Sequence, residues 1–449
     1  MSALNTDLYQ LTMAAGYFAA GKNDELATFE ITVRRLPDHR NFLIAAGLQQ
    51  AVEYLQNLKF QPQEVQYLQT LRQFAKAPRE FFDSLLNLRF TGELSAVPEG
   101  TAIFPNEPLA IIRAPLLEAQ IVETYLLTTF AFQTLIASKA ARCVLAAQGR
   151  PVVEFGSRRA HGPEAGILAG RAAYLAGCSG TSNAEAGMQF GIPVFGTAAH
   201  SWTMAFPSEE ESFRTLQELL GDSTVFLVDT YDTIEGTHLA TQLGKPMWGV
   251  RLDSGDLVEL SRNVRRILDD AGLRDVKIFV TNDLNEYKVS EMLAAGAPID
   301  AFGIGTQLAT SFDAPALSAV YKMVELRRGG EVHYTAKFSD EKKTLPGAKQ
   351  IYRFADHDII ALANECNSDF IGAEPLLRPV IHSGELVEPL PTLAHARSRA
   401  ASAVAALPAE LRLLETVAPY RVDVSARLIE LAKSVRDDVQ LTRHENCIL

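Results

Sequence analysis

The 449-residue chain is poor in several things. It has four cysteines, Cys143, Cys178, Cys366 and Cys447, with no CxxC pair and no metal-ligand spacing. That excludes a disulfide framework and a thiolate metal site, and leaves reduced cytosolic thiols as the reading. No apolar run approaches the length that spans a bilayer. The opening residues, MSALNTDLYQLTM, lack the basic segment and apolar core of a secretion signal, so a cytoplasmic protein is expected. A basic surplus is missing too: 42 Lys and Arg face 54 Asp and Glu. A nucleic-acid binder would show a basic stripe, so neither nucleic acid nor membrane is expected as a partner. Any basic cluster then serves a local anionic ligand. Low-complexity tracts and sequence repeats are also absent.

What is there is concentrated between residues 150 and 306. Short apolar runs with no helical period stop abruptly at polar or glycine residues, and each is followed by a helix-like segment. The runs are 151–155 (PVVEF), 192–195 (IPVF), 225–228 (VFLV), 247–250 (MWGV), 278–280 (IFV) and 299–302 (IDAF). They stop at GSRR, GTAAHS, DTYD, RLDSGD, TND and GIGT. Runs of this kind read as parallel strands buried on both faces, with helices as the crossovers. In a β/α barrel the C-terminal strand ends converge on one face, where chemistry is done. The fold expected is α/β: a barrel over 136–325, with an N-terminal α/β segment, 1–135, and a C-terminal segment, 326–449, packing together as a second domain.

In the flanks, Asn5 or Thr6 can cap a helix over 7–20 with Leu8, Leu11, Ala15 and Phe18 on one stripe. Tyr9 and Gln10 lie off that stripe. Residues 27–34, 90–98, 101–105, 317–326, 331–338 and 350–354 read as strands. Residues 42–58, 62–74, 115–147, 393–406 and 424–441 read as helices, with another starting at Pro408. A basic loop at 337–349 carries Lys337, Lys342 and Lys343.

The strand ends carry the chemistry. Gly303 and Gly305 let backbone approach an anion, a following helix offers free N–H groups, and Thr306 adds a hydroxyl. Arg251 suits a planar carboxylate, with Asp253 and Asp256 close by. Asp229, Asp232 and Asp283 add carboxylates that call for cations or Mg²⁺ held with ligand phosphates. Arg158 and Arg159 follow Phe155, a phosphate clamp beside an aromatic wall. Thr197 and His200 share a small-residue loop, where the His ring is free for acid–base or nucleophilic work. The hydroxyls of Ser179–Asn183 are near in sequence. Together these describe transfer chemistry on a phosphorylated sugar.

These residues resemble the nicotinate phosphoribosyltransferases, of the type II phosphoribosyltransferase family. The motifs are TDLYQLTMAAGY (6–17), FEITVRRLP (29–37), EFGSRRAHGPEAG (154–166), GTSN (180–183), GIPVFGTAAHSW (191–202), VDTYDT (228–233), GVRLDSGD (249–256), TNDLNE (281–286), FGIGT (302–306) and LPGAKQIYR (345–353). Ser157 and His161 depart from the pattern, standing where a bulkier apolar residue and a Gln are expected. The resemblance implies an irregular β/α barrel and an enzyme joining nicotinate to phosphoribosyl pyrophosphate in NAD biosynthesis. It implies Mg²⁺, and ATP hydrolysis coupled through phosphorylated His200. It implies a homodimer in which Tyr9 of one subunit and Phe155 of the other sandwich nicotinate. Arg251 and Thr197 would take the carboxylate, with Ser182 where nicotinamide-using relatives carry Asp. Arg158, Gly303, Gly305 and Thr306 would hold the 5′-phosphate. Asp253 and Asp283 would meet ribose hydroxyls or Mg²⁺, and Asp229 would stabilise developing positive charge. The alternatives are a nicotinamide-preferring or quinolinate-type transferase, a non-catalytic nucleotide-sensing barrel, or a sugar-phosphate isomerase or aldolase barrel. Ser182 argues against the first of these.

Overall fold

The structure is a computed structural model that describes residues 2–338, 344–415 and 417–446. Lys342, Lys343 and Cys447 lie outside the described residues. The chain forms two compact units, Met1–Thr134 with Ala316–Ala396 and Val417–Leu449, and Leu135–Pro315 with Arg397–Thr416. No helix among the described residues is long and apolar enough to cross a membrane.

The second unit is built on six parallel strands: β1 (Val152–Glu154), β2 (Gly180–Thr181), β3 (Val225–Leu227), β4 (Gly249–Leu252), β5 (Lys277–Val280) and β6 (Ala301–Ile304). They pair in the order β2-β1-β6-β5-β4-β3. Register puts Leu227, Arg251 and Phe279 side by side across β3, β4 and β5. Alternation then assigns the faces. Val225, Arg251, Phe279, Ala301 and Gly303 share one face. Phe226, Val250, Leu252, Ile278, Val280, Phe302 and Ile304 share the other and are fully buried. Helices Pro163–Leu175, Thr233–Leu243 and Leu257–Asp270 pack against the strands.

Three of the six expected runs behave differently. IPVF contributes only an isolated bridge, Val194 to Thr181. Its place in the sheet is taken by Gly180–Thr181, where no strand is expected from the sequence. Gly180 explains the choice: a Cβ there would lie 2.2 Å from the Pro193 carbonyl and 2.7 Å from the Phe195 ring, so only glycine lets the two segments lie together. β4 and β6 run two residues past the expected ends, so Arg251 and Gly303 are strand residues rather than turn residues.

The helices begin at side-chain caps. Asn183, Ser208, Asp232, Asp256 and Asn285 each accept a hydrogen bond from backbone N–H groups two or three residues on. Capping satisfies donors that a helix start leaves unpaired. Asp232 and Asp256 are therefore helix caps, a correction to their reading as carboxylates of the ligand face.

In the first unit, strand Leu26–Val33 lies between Pro108–Pro115 and Ala319–Arg328, antiparallel to both, in a seven-stranded sheet. A four-stranded sheet of Glu374–Pro375, Lys349–Arg353, His357–Leu362 and Arg421–Val424 stands beside it in the same unit. Ala27, Ile31, Val33, Leu94 and Ile112 are completely buried. The first helix is Leu8–Ala19, with Asp7 rather than Asn5 or Thr6 at its N-cap position and no side-chain cap. Leu11 and Ala15 are buried as the stripe requires, but Leu8 is exposed and Gln10 is buried against Gln120. The Gln120 amide donates to the Gln10 side-chain oxygen, while Gln10 Nε2 is buried without a hydrogen-bond partner. Residues 42–58 divide into strand Leu43–Ile44 and helix Leu48–Gln56.

Candidate active site

The open ends of the six strands bring most of the expected residues together in the second unit. Arg251 is the hub. Its residue is 8 % exposed, and its Nε donates to the Thr281 hydroxyl at 2.9 Å. One terminal nitrogen donates to the Thr197 hydroxyl at 2.8 Å and the Ala198 carbonyl at 3.2 Å. The other meets Asp253 Oδ1 at 2.8 Å. These bonds use four of the five N–H donors of a guanidinium.

Asp253 is drawn into the same knot. Burial raises its carboxyl, but the Thr281 hydroxyl and the Arg251 charge outweigh that and hold it below the usual carboxylate range. Its backbone N–H donates to Asp229 Oδ2 at 3.0 Å, and the Ser254 hydroxyl joins the same oxygen at 2.6 Å. The other Asp229 oxygen, Oδ1, is buried without a hydrogen-bond partner. His200 opens helix His200–Met204. Its Nδ1 lies 3.2 Å from the Thr230 hydroxyl and its Nε2 3.7 Å from Asp253 Oδ2. The geometry thus links His200, Asp253, Asp229, Arg251 and Thr197 into one continuous polar network.

The aromatic wall is placed by glycine. Phe155 packs edge-on against Phe279, with ring centroids 5.4 Å apart, in a small apolar cluster with Val225 and Ala301. A Cβ on Gly303 would fall 2.7 Å from Thr281, 2.8 Å from Phe279 and 3.0 Å from Phe155. Gly303 therefore clears space for the rings instead of forming the tip of a turn. Gly305 precedes the short helix Thr306–Ala309. Arg158 and Arg159 are exposed on the 3-10 turn Ser157–Arg159 just beyond Phe155. Ser182 follows β2 and is half-buried, its N–H bonded to the Glu154 carbonyl at 2.9 Å.

Asp283 is exposed, and both it and Asn282 have positive φ, 39° and 95°. Such backbone is sparsely populated outside glycine and is concentrated at functional sites. Tyr9 belongs to the first unit, on helix Leu8–Ala19, and is 49 % exposed. Its hydroxyl donates to Glu123 at 3.2 Å. Burial of the hydroxyl and the Glu123 charge push its pKa up to about 12.

Sequence reasoning missed Glu154, Thr181, Thr281 and Ser254. Thr281 bridges Arg251 and Asp253, and Ser254 secures Asp229. Nothing in the local spacing singles out Glu154, inside an apolar run, or Thr181, which follows none.

Among the described residues, no three His, Cys, Asp or Glu side chains gather into a metal cage. The donor set fits Mg²⁺, which is held by one or two carboxylates and keeps waters or substrate phosphates as its other ligands. The unpartnered Asp229 oxygen is such a donor.

Comparison with known proteins agrees across the chain. Residues 4–131 match the nicotinate phosphoribosyltransferase N-terminal domain, 151–344 the nicotinate phosphoribosyltransferase family proper and 349–432 its C-terminal domain. A nicotinate phosphoribosyltransferase of Mycobacterium tuberculosis is 46 % identical over 444 residues, covering 96 % of this chain and 94 % of the relative. One of Bacillus subtilis is 42 % identical over 383 residues, covering 82 % and 77 %. The crystal structure of the human nicotinic acid phosphoribosyltransferase superposes with a TM-score of 0.84 at 29 % identity, covering 96 % of this chain and 99 % of that one. The mixed α/β fold with its parallel sheet is thus the type II phosphoribosyltransferase fold, and the chain is an enzyme of the nicotinate phosphoribosyltransferase family.

Proposed function

We propose that the enzyme joins nicotinate to phosphoribosyl pyrophosphate, releasing nicotinate mononucleotide and pyrophosphate for NAD synthesis. The observation that carries the reading is the buried Arg251, fixed by Thr197 and Thr281 on the same strand-end face as the Phe155 ring. A planar aromatic carboxylate matches that pair: ring on ring, carboxylate on guanidinium. Tyr9 of a partner subunit would cover the second face of the ring in a homodimer with shared sites. Ser182 presents no charge to repel the carboxylate.

Arg158 and the Gly303–Thr306 segment, with Gly305 at its bend, would hold the 5′-phosphate, and Asp283 the ribose hydroxyls. With the ribose so held, the pyridine nitrogen displaces pyrophosphate from C1, and Asp229 stabilises the positive charge that develops on the sugar. Asp229 and its neighbour Asp253 would hold Mg²⁺, which would supply neutralisation of the pyrophosphate charge. His200 takes a phosphoryl group from ATP, releasing ADP. Thr230 engages Nδ1 and leaves Nε2 facing Asp253. The added dianion-like charge acts on pyrophosphate binding and release, not on the glycosidic step.

The test is mononucleotide formation from phosphoribosyl pyrophosphate and Mg²⁺ with nicotinate or nicotinamide, with and without ATP. Turnover with nicotinate that ATP stimulates is the expected result. Turnover with nicotinamide alone overturns the base-pocket assignment. Binding without turnover of either base replaces the enzyme reading of the site with a sensing one. Unchanged ATP stoichiometry in His200→Ala would remove His200 from its role.

A further inference from the structure

Behind the ligand face lies a carboxyl to which no role has yet been given. Glu154 ends β1 with 0 % exposure, and its register partner on β2, Thr181, is equally buried. Alternation puts Glu154 on the sheet face opposite Phe155, the one covered by helices, so it cannot touch a ligand stacked on that ring. Thr181 lies under helix Pro163–Leu175, where Gly170 leaves room for it.

Glu154 nevertheless bonds to both loops that flank the base pocket. One carboxyl oxygen accepts from the Gly156 N–H and the other from the Thr181 hydroxyl at 2.6 Å. Its backbone carbonyl accepts from the Ser182 N–H. Thr181 in turn accepts from the Asn183 N–H at 3.0 Å, and the Asn183 amide donates to Ser157 at 3.1 Å. The Asn183 oxygen also caps helix Ala184–Phe190.

The direction of these bonds defines the state of the carboxyl. Gly156 N–H and Asn183 N–H can only donate. With Glu154 ionised, the Thr181 hydrogen points to the carboxylate and every donor has an acceptor. With Glu154 neutral, its proton must point at Thr181 Oγ1, which then receives two donors and has nowhere among these groups to place its own hydrogen. Burial pushes the carboxyl up, and the Thr181 and Gly156 donors oppose that. The buried Cys178 thiol feels the same carboxyl: burial and the Cys143 and Glu154 charges raise it, and Arg397 opposes them.

We propose that Glu154 is a positioning residue for the base pocket: through Thr181 and Asn183 its carboxylate fixes Ser182 and Ser157 relative to Phe155. The proposal rests on the reading that Phe155 and Ser182 flank nicotinate.

Three variants test it: Thr181→Val, Thr181→Ser and Glu154→Gln, each measured for KM and kcat with nicotinate and with phosphoribosyl pyrophosphate. Wild-type turnover reports on the substrate reading, and the variants report on the inference. Thr181→Val and Glu154→Gln are expected to raise KM for nicotinate about tenfold, the effect of one lost hydrogen bond, with smaller changes in kcat. Thr181→Ser keeps the hydroxyl and should stay within about twofold of wild type. A Thr181→Val enzyme with wild-type KM, a Thr181→Ser enzyme as impaired as Thr181→Val, or losses confined to kcat would each overturn the proposal. A wild type that does not use nicotinate overturns the substrate reading and the proposal with it.

Discussion

Arg251 is held by two threonine hydroxyls and an aspartate before any ligand arrives, so little conformational entropy is lost when a carboxylate binds. Arg251→Ala should lower kcat/KM for nicotinate about hundredfold, near 3 kcal/mol of transition-state stabilisation. Steady-state kinetics check this, and an unchanged kcat/KM for nicotinate would contradict it. Asp253 makes a separate prediction about pH. Its folded carboxyl is held below the usual range, so the stability it contributes is present above the ordinary carboxylate pKa of about 4 and is lost as pH falls through the depressed folded value. Asp253→Asn should therefore flatten the fall of melting temperature between about pH 4 and pH 2. A parallel acid limb in both proteins would exclude Asp253 as its source. His200, Asp229, Asp253, Arg251 and Thr197 were legible because each lies in the polar segment that follows an apolar run. Asp232 and Asp256, expected from the sequence as ligand-face carboxylates, do carry the pattern of a helix start, a Glu three positions on. Glu154 and Thr181 could not be read, because hydrogen bonding between neighbouring strands leaves no trace in local spacing.

At the level of elements, five of the six strands followed from short apolar runs bounded by polar residues. β2 did not, because Gly-Thr has no apolar signature and is a strand only through its partners on either side. The long apolar region 115–147 appears as two helices, Leu116–Ile121 and Glu123–Ala146. Helix Arg79–Asn87 and strand Pro108–Pro115 were not anticipated. The strand is buried on both faces and so shows no alternation. β6 carries the sharpest test of how backbone shapes the pocket. Gly303→Ala forces a methyl against Thr281, Phe279 and Phe155. It should cost about 1–3 kcal/mol of stability as overpacking and displace the Phe155 ring. The measurement is paired: urea unfolding and KM for nicotinate. A variant with unchanged values for both would show that the rings have slack at that point.

Over the whole molecule, buried charge and chain path dominate. In the second unit, Lys139 is buried between Glu286 at 2.6 Å and Asp313 at 2.8 Å, while Arg142 meets Glu286 at 2.9 Å. Glu286→Ala would leave two buried cations without their shared partner and should cost about 3–5 kcal/mol, read by chemical denaturation. A shared site makes a prediction about subunits. Tyr9→Ala and Phe155→Ala should each be inactive, yet mixing them under conditions that exchange subunits should restore about a quarter of wild-type turnover, because half of the dimers then carry one intact site. No recovery despite proven exchange would place both residues in one subunit's site. The chain path has a further consequence, during synthesis. Strand Leu26–Val33 finds one neighbour at Pro108–Pro115 but its other at Ala319–Arg328, some 200 residues later. At roughly 5–20 residues per second the ribosome takes on the order of 10–40 s to bridge that gap. Throughout that interval a flat strand edge is open to any other nascent chain, so the yield of this enzyme in a cell depends on how well that edge is shielded before the third segment emerges.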